Sequence, residues 1–237
     1  SKYEECFNKC RRYQITFSRL LQIVKINIEE LCNQISGSHL RPFLSLLKPD
    51  ENPTDRKFLL DFMSYLYGEP ITFDGKLSVP ENVENQKLIN FSSCVSIALI
   101  LFDELVKAVK FTCSIKDVNQ SKKAIQFLLT LFDGDQLFDA ALRTYDQHAI
   151  VAIGSLSGKE PSSYLDLIDR LKEYSDILRM AYLDEEVGDY ENAVRHFAEA
   201  GEEHKEHCLF LVKQYQLYEV GMNVFKESPE EWKTILL

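Results

Sequence analysis

The chain has 237 residues, enough to bury a substantial interior without disulfide or metal staples. Its formal net charge of -10 sets a mean surface field that repels nucleic acid and anionic membranes, which argues against a polyanion-binding module. Only 9 glycines and 7 prolines punctuate it, too few for the turn-dense pattern of a sandwich or barrel, so long helices and an all-α fold are expected.

The N-terminal Ser-Lys-Tyr-Glu-Glu has neither an initiator methionine nor the apolar core of a signal peptide, which suggests a piece of a longer protein. Lys9, Arg11 and Arg12 make the most basic local cluster, and three charges in so short a run read as a solvated helix end rather than a phosphate track. Helical spacing then appears at Phe17, Leu20, Leu21 and Val24, and again at Phe58, Leu59, Phe62 and Leu66. Between them, Asn52-Pro53-Thr54-Asp55 has the form of a helix start: a capping side chain, a proline at the first helical position where its missing N–H costs nothing, and a carboxylate in the first turn.

From Gly68 to Pro80 the stripe disappears and turn residues take over, Asp74-Gly75 and Val79-Pro80 among them. This segment is expected to be a long loop, and it divides the chain into a helical part at 1–67, a loop-rich connection at 68–93 and the main helical array at 94–237. The array opens with Val95, Ala98, Leu99, Phe102, Leu105, Val106 and Val109, spacing that places all of them on one face of one long helix. The apolar run from Cys94 to Phe102 is broken by Ser96 and far shorter than the ~20 residues of a membrane span. Further stripes follow at Ile125, Leu128, Leu129 and Phe132, and at Cys208, Leu211, Val212 and Tyr215.

A repeated pattern carries the most information. Phe138-x-x-Ala141-x-x-x-Tyr145, Tyr190-x-x-Ala193-x-x-x-Phe197 and Tyr218-x-x-Gly221-x-x-x-Phe225 each place a small residue between two aromatics on one helix face. A small residue there lets a paired helix approach closely, so these nine positions are the expected repeat-packing residues. Gly188 suits the C′ position ending one helix and Asp189 the N-cap of the next, giving a helix-turn-helix hairpin that resembles the second half of a tetratricopeptide repeat. The copies start at 138, 190 and 218 rather than every ~34 residues, which predicts an irregular tetratricopeptide-like helical-hairpin solenoid. Ser228-Pro229-Glu230-Glu231 forms a last capping box before Trp232 and Ile235, so the array is expected to continue past the end of this chain.

Catalytic chemistry is not legible. There is no Gly-x-x-x-x-Gly-Lys loop and no Gly-x-Gly-x-x-Gly, and Gly154-Ser155-Leu156-Ser157-Gly158 reads as a helix terminus and loop rather than a nucleophile elbow. His196, His204, His207 and Cys208 are the nearest approach to a metal set, but Cys208 falls on an apolar stripe and the histidines read as surface residues. Asp184, Glu185 and Glu186 read as a solvated helix end. Six cysteines without a CxxC pair fit a reducing compartment, and Cys6, Cys94 and Cys208 lie on apolar stripes. No catalytic, cofactor or metal site is therefore expected.

Several stretches, taken in order, resemble the helical region of the largest Elongator-complex subunit. They are Tyr3 to Arg12, Ala124 to Leu128 with Gln136 to Asp146, Lys159 to Leu165, and Tyr190 to Val194 leading to His207-Cys208-Leu209. Glu160 stands where that family usually has an aspartate before the proline, and glutamate is a poorer N-cap. The likeness is thinnest from about 68 to 120. The resemblance implies a non-catalytic scaffold with propellers before this segment and a homodimerising region after it. It also implies partnership with the other Elongator subunits, of which a separate one modifies the wobble uridine of cytoplasmic tRNA by radical S-adenosylmethionine and acetyl-coenzyme A chemistry. A cytoplasmic location, with the nucleus as a second, and no direct tRNA contact by this segment complete that expectation. The competing reading is a helical-repeat scaffold of a vesicle-coat or ciliary-transport complex, since solenoids serve many functions.

Overall fold

The computed structural model describes residues 2–80 and 85–226, so the capping box at Ser228, with Trp232 and Ile235, lies outside the described residues. The described chain is all-α apart from one small β-hairpin. It divides into two compact units, 1–133 and 134–237.

The first unit begins with α1 (Lys2–Arg12), α2 (Phe17–Ile23), α3 (Ile28–Gln34), α4 (Gly37–Leu44) and α5 (Pro53–Tyr67). Asn52 caps α5 as its sequence predicts, accepting from the Thr54 amide at 2.9 Å, with Pro53 in the first turn. Asp55 behind it is buried and accepts from the Lys48 amide at 3.0 Å. Phenylalanines bind these helices together in an unbroken row: Phe43 stacks on Phe7 at 4.3 Å, Phe7 meets Phe17 edge-on, and contacts continue through Phe58 and Phe62 to Phe91. Each such ring removes a large apolar area from water, stabilising by about 1.5–3 kcal/mol when fully buried.

Gly68 ends α5 with a left-handed φ of 80°, and the segment expected to be a plain loop contains a two-stranded hairpin, β1 (Thr72–Phe73) and β2 (Leu77–Ser78). Ile71 and Leu77 are buried, which is why the segment takes a defined course. Helices α6 (Gln86–Asn90), α7 (Ser92–Leu101), α8 (Leu105–Cys113) and α9 (Val118–Leu128) complete the unit. Lys107 of α8 bonds both the Leu77 carbonyl and Glu104, fastening the hairpin to the helices.

The single long helix expected over Val95–Val109 is two helices. Asp103 adopts φ 59°, and the Glu104 and Asp103 amides donate back to the Leu99 and Ile100 carbonyls, at 3.0 and 2.9 Å. That is the Schellman pattern, in which a left-handed residue satisfies the last free carbonyls of a helix. Glycine usually fills the position; aspartate here hides the break inside a continuing apolar stripe.

The second unit holds α10 (Gly134–Leu142), α11 (Gln147–Leu156), α12 (Pro161–Leu171), α13 (Asp176–Glu186), α14 (Tyr190–Ala200), a 3₁₀ turn (Glu202–His204), α15 (Lys205–Gln214) and α16 (Tyr218–Val224). Successive helices pack as hairpins, α10 on α11, α11 on α12, α13 on α14 and α14 on α15. Pro161 opens α12 and Glu160 makes no capping bond, as its length leads one to expect. Gly154 belongs to α11, and Gly158, at φ 77°, turns the chain after it. Two fully buried thiols mark the interiors: Cys94 in the first unit and Cys208 in the second.

Candidate functional site

The repeat pattern comes to rest mainly on the hairpin α13–α14. Gly188 at φ 74° and Asp189, whose carboxylate accepts from the Asn192 amide, make the turn that its sequence predicts. The Asp189 and Gly188 amides return to the Asp184 and Glu185 carbonyls, again in the Schellman arrangement. Ala181 on α13 and Ala193 on α14 are both fully buried, so the two backbones lie close. Phe197, also fully buried, meets Tyr182 edge-on at 5.1 Å and His207 of α15 at 4.7 Å. Tyr190 lies flat on Tyr215.

The other two copies are set differently. Phe138 and Ala141 are buried, but α10 starts at Gly134, so Phe138 is the fifth helical residue whereas Tyr190 and Tyr218 are the first of theirs. Tyr145 is not on the helix: it follows the end of α10 with φ 58°. In the third copy Gly221 and Phe225 are buried, whereas Tyr218 is 43% exposed. It occupies the first position of α16, where Leu217 just before it packs on the core instead.

Tyr145 takes part in a contact that its sequence does not announce. Its hydroxyl donates to Asp184 Oδ1 at 2.7 Å, and His196 Nδ1 meets Asp184 Oδ2 at 2.6 Å. Asp184 is 1% exposed, so it is not part of a solvated helix end. Burial raises its pKa above the ordinary aspartate range, while the bonds from Tyr145 and His196 act in the opposite sense. Burial and the neighbouring carboxylate likewise push the Tyr145 phenol up. Arg143 adds an ion pair to Asp189 at 3.2 Å. The group therefore pins the end of α10 to both helices of the next hairpin.

The histidines do not converge. His196 goes to Asp184 and His207 to Glu185 at 3.0 Å, while Cys208 faces the core, its thiol 3.7 Å from the Val194 carbonyl. Among the described residues no three His, Cys, Asp or Glu side chains are grouped to hold a metal ion. No helix among them is long and apolar enough to cross a membrane. The arrangement is a packed polar pin inside stacked hairpins, suited to holding helices in register.

Residues 91–171, from the start of α7 to the end of α12, match the family described as ELP1 alpha-solenoid. Elongator complex protein 1 of the rat is 22% identical over 98% of this chain, and that of Saccharomyces cerevisiae 23% over 99%. The fruit-fly protein of the same name is 30% identical over 51% of it. Along nearly its whole length the chain is similar to Elongator complex protein 1. It spans about a fifth of the rat and yeast proteins, 19% and 20% of their length, and 10% of the fly protein. The fold is accordingly an irregular helical-hairpin α-solenoid segment. The one signal that could have found the Tyr145–Asp184–His196 pin is the placing of a lone tyrosine and histidine on inward faces. That signal is too common to single out three residues spread over more than fifty positions.

Proposed function

We propose that the chain is a non-catalytic scaffold segment of the Elongator complex, supporting wobble-uridine modification of cytoplasmic tRNA by holding partner subunits in place. The observation that carries this reading is the likeness to Elongator complex protein 1 along nearly the whole chain. The buried repeat core supports it: a solenoid spends its inner faces on neighbouring repeats and keeps its outer ones for partners. The net charge of -10 supports a role apart from tRNA contact, since phosphate binding rests on clustered cations. A cytoplasmic location belongs to the same proposal, as does homodimerisation of the full-length subunit through a region beyond this segment.

The test is Phe197→Ala in the full-length protein in cells. Removing a fully buried phenylalanine costs about 3–5 kcal/mol. Loss of the intact complex together with a fall in modified wobble uridine, while the catalytic subunit keeps its chemistry, is the expected result. Loss of modification with the complex fully assembled would point instead to a direct catalytic or tRNA-contacting role. Recovery of coat or transport subunits in place of Elongator subunits would overturn the assignment.

A further inference from the structure

The first unit carries a groove of about 730 Å³ that the packing of its helices does not use. Its walls come from the end of α3, the start of α4, the α6–α7 junction and one face of α9. Two cations stand on it, Arg41 and Lys123, and none of its described lining residues is an aspartate or glutamate. In a chain of net charge -10 that local balance is unusual. Among the described residues neither cation is ion-paired; the Arg41 guanidinium lies over the half-buried ring of Phe127, 4.8 Å from its centre, which holds it in place with its edges free to donate.

The rest of the lining is polar and suited to a backbone. Asn33 and Gln120 are exposed amides that both donate and accept, and Asn90, whose Oδ1 accepts from Gln86, keeps its amide nitrogen to donate, so they match the alternating N–H and C=O groups of an extended chain. The helices α4 and α7 also begin here, close together, with the Asn90 carbonyl 2.8 Å from where a side chain on Gly37 would start. Neither cap residue, Ser36 or Phe91, accepts from a first-turn amide with its side chain, the Ser36 hydroxyl bonding the Ser38 hydroxyl and the His39 ring instead, and the positive ends of both helices add to the field of the two cations.

We propose that this groove docks an extended acidic segment of a partner protein, a glutamate- or aspartate-bearing stretch whose carboxylates meet Arg41 and Lys123. Two cations on one groove fit a local anionic side chain; they do not form the extended basic track that a nucleic-acid backbone needs. The proposal does not depend on which complex the chain joins, since its test measures peptide binding and not recovery of subunits.

The test uses the full chain and three fluorescent probes of equal length: a glutamate-rich octapeptide, a lysine-rich octapeptide and a single-stranded RNA octamer. Binding of the acidic peptide alone, weakening with added salt, is expected. Lys123→Glu should weaken it about tenfold, while Lys122→Glu, the same charge change one residue away on α9 and outside the lining, should leave it nearly unchanged. Both lysines are exposed, so neither variant threatens folding. The proposal is overturned if the acidic peptide does not bind, if both variants weaken it equally, or if the RNA binds more tightly and is the probe that Lys123→Glu releases.

Discussion

Asp184 sits at the meeting point of three helices' worth of sequence, and its environment fixes how it titrates. Burial is the largest influence and raises its pKa; the Tyr145 hydroxyl and His196 ring lower it in part, and Asp189 nearby raises it. A carboxyl group that binds its proton more readily in the folded chain contributes stability below the ordinary aspartate value of 3.8. That contribution is lost as pH rises through the higher folded value. Urea midpoints measured across that window should therefore fall with pH by more in the wild type than in Asp184→Asn, and parallel curves would show that Asp184 is not perturbed. Tyr145→Phe should cost about 1–3 kcal/mol, because it strips a bond from a buried carboxylate. Along the chain Asp184 is followed by Glu185 and Glu186, and three acids at a helix end look solvated. Only folding brings Tyr145, from beyond the end of another helix, onto the first of them.

Helix faces were the most legible level, because buried positions recur at helical spacing whatever the tertiary arrangement. The α5 cap and the Gly188–Asp189 turn could be read directly, since proline, asparagine and glycine have few other uses at those spots. The break at Asp103 was hidden, as was the position of Tyr145, because both turns place an ordinary residue where glycine is the usual signal. Two substitutions test the hairpin packing. Ala193→Trp forces a large ring between α13 and neighbours that leave no room, costing at least about 1–3 kcal/mol, whereas Glu191→Ala on the exposed side of α14 should stay within about 0.5. Gly154→Ala gives the sharper result. Alanine raises helix propensity by up to about 1 kcal/mol, yet its methyl would lie 2.9–3.1 Å from three atoms of the buried Tyr164 ring. A net loss of thermal stability is expected, and a gain would mean that the α11–α12 contact is loose.

At the scale of the whole molecule, the sequence divides its cysteines unevenly between the two units. Five lie before Gly134, and Cys208 is the single one after it. All six are free. Burial pushes the thiols of Cys94 and Cys208 up, to about 12 and about 11, so at neutral pH both are protonated as well as enclosed. A thiol in that state reacts with an alkylating reagent only during moments when its surroundings open. Each unit thus contains its own clock: the labelling rate of Cys94 reports how often the first core breathes, and that of Cys208 the second. In a chain keeping only one of these two cysteines, Phe197→Ala should hasten labelling at Cys208 far more than at Cys94. Equal acceleration at both would mean that the two cores open as one, so that damage in either half is felt by any partner resting on the other.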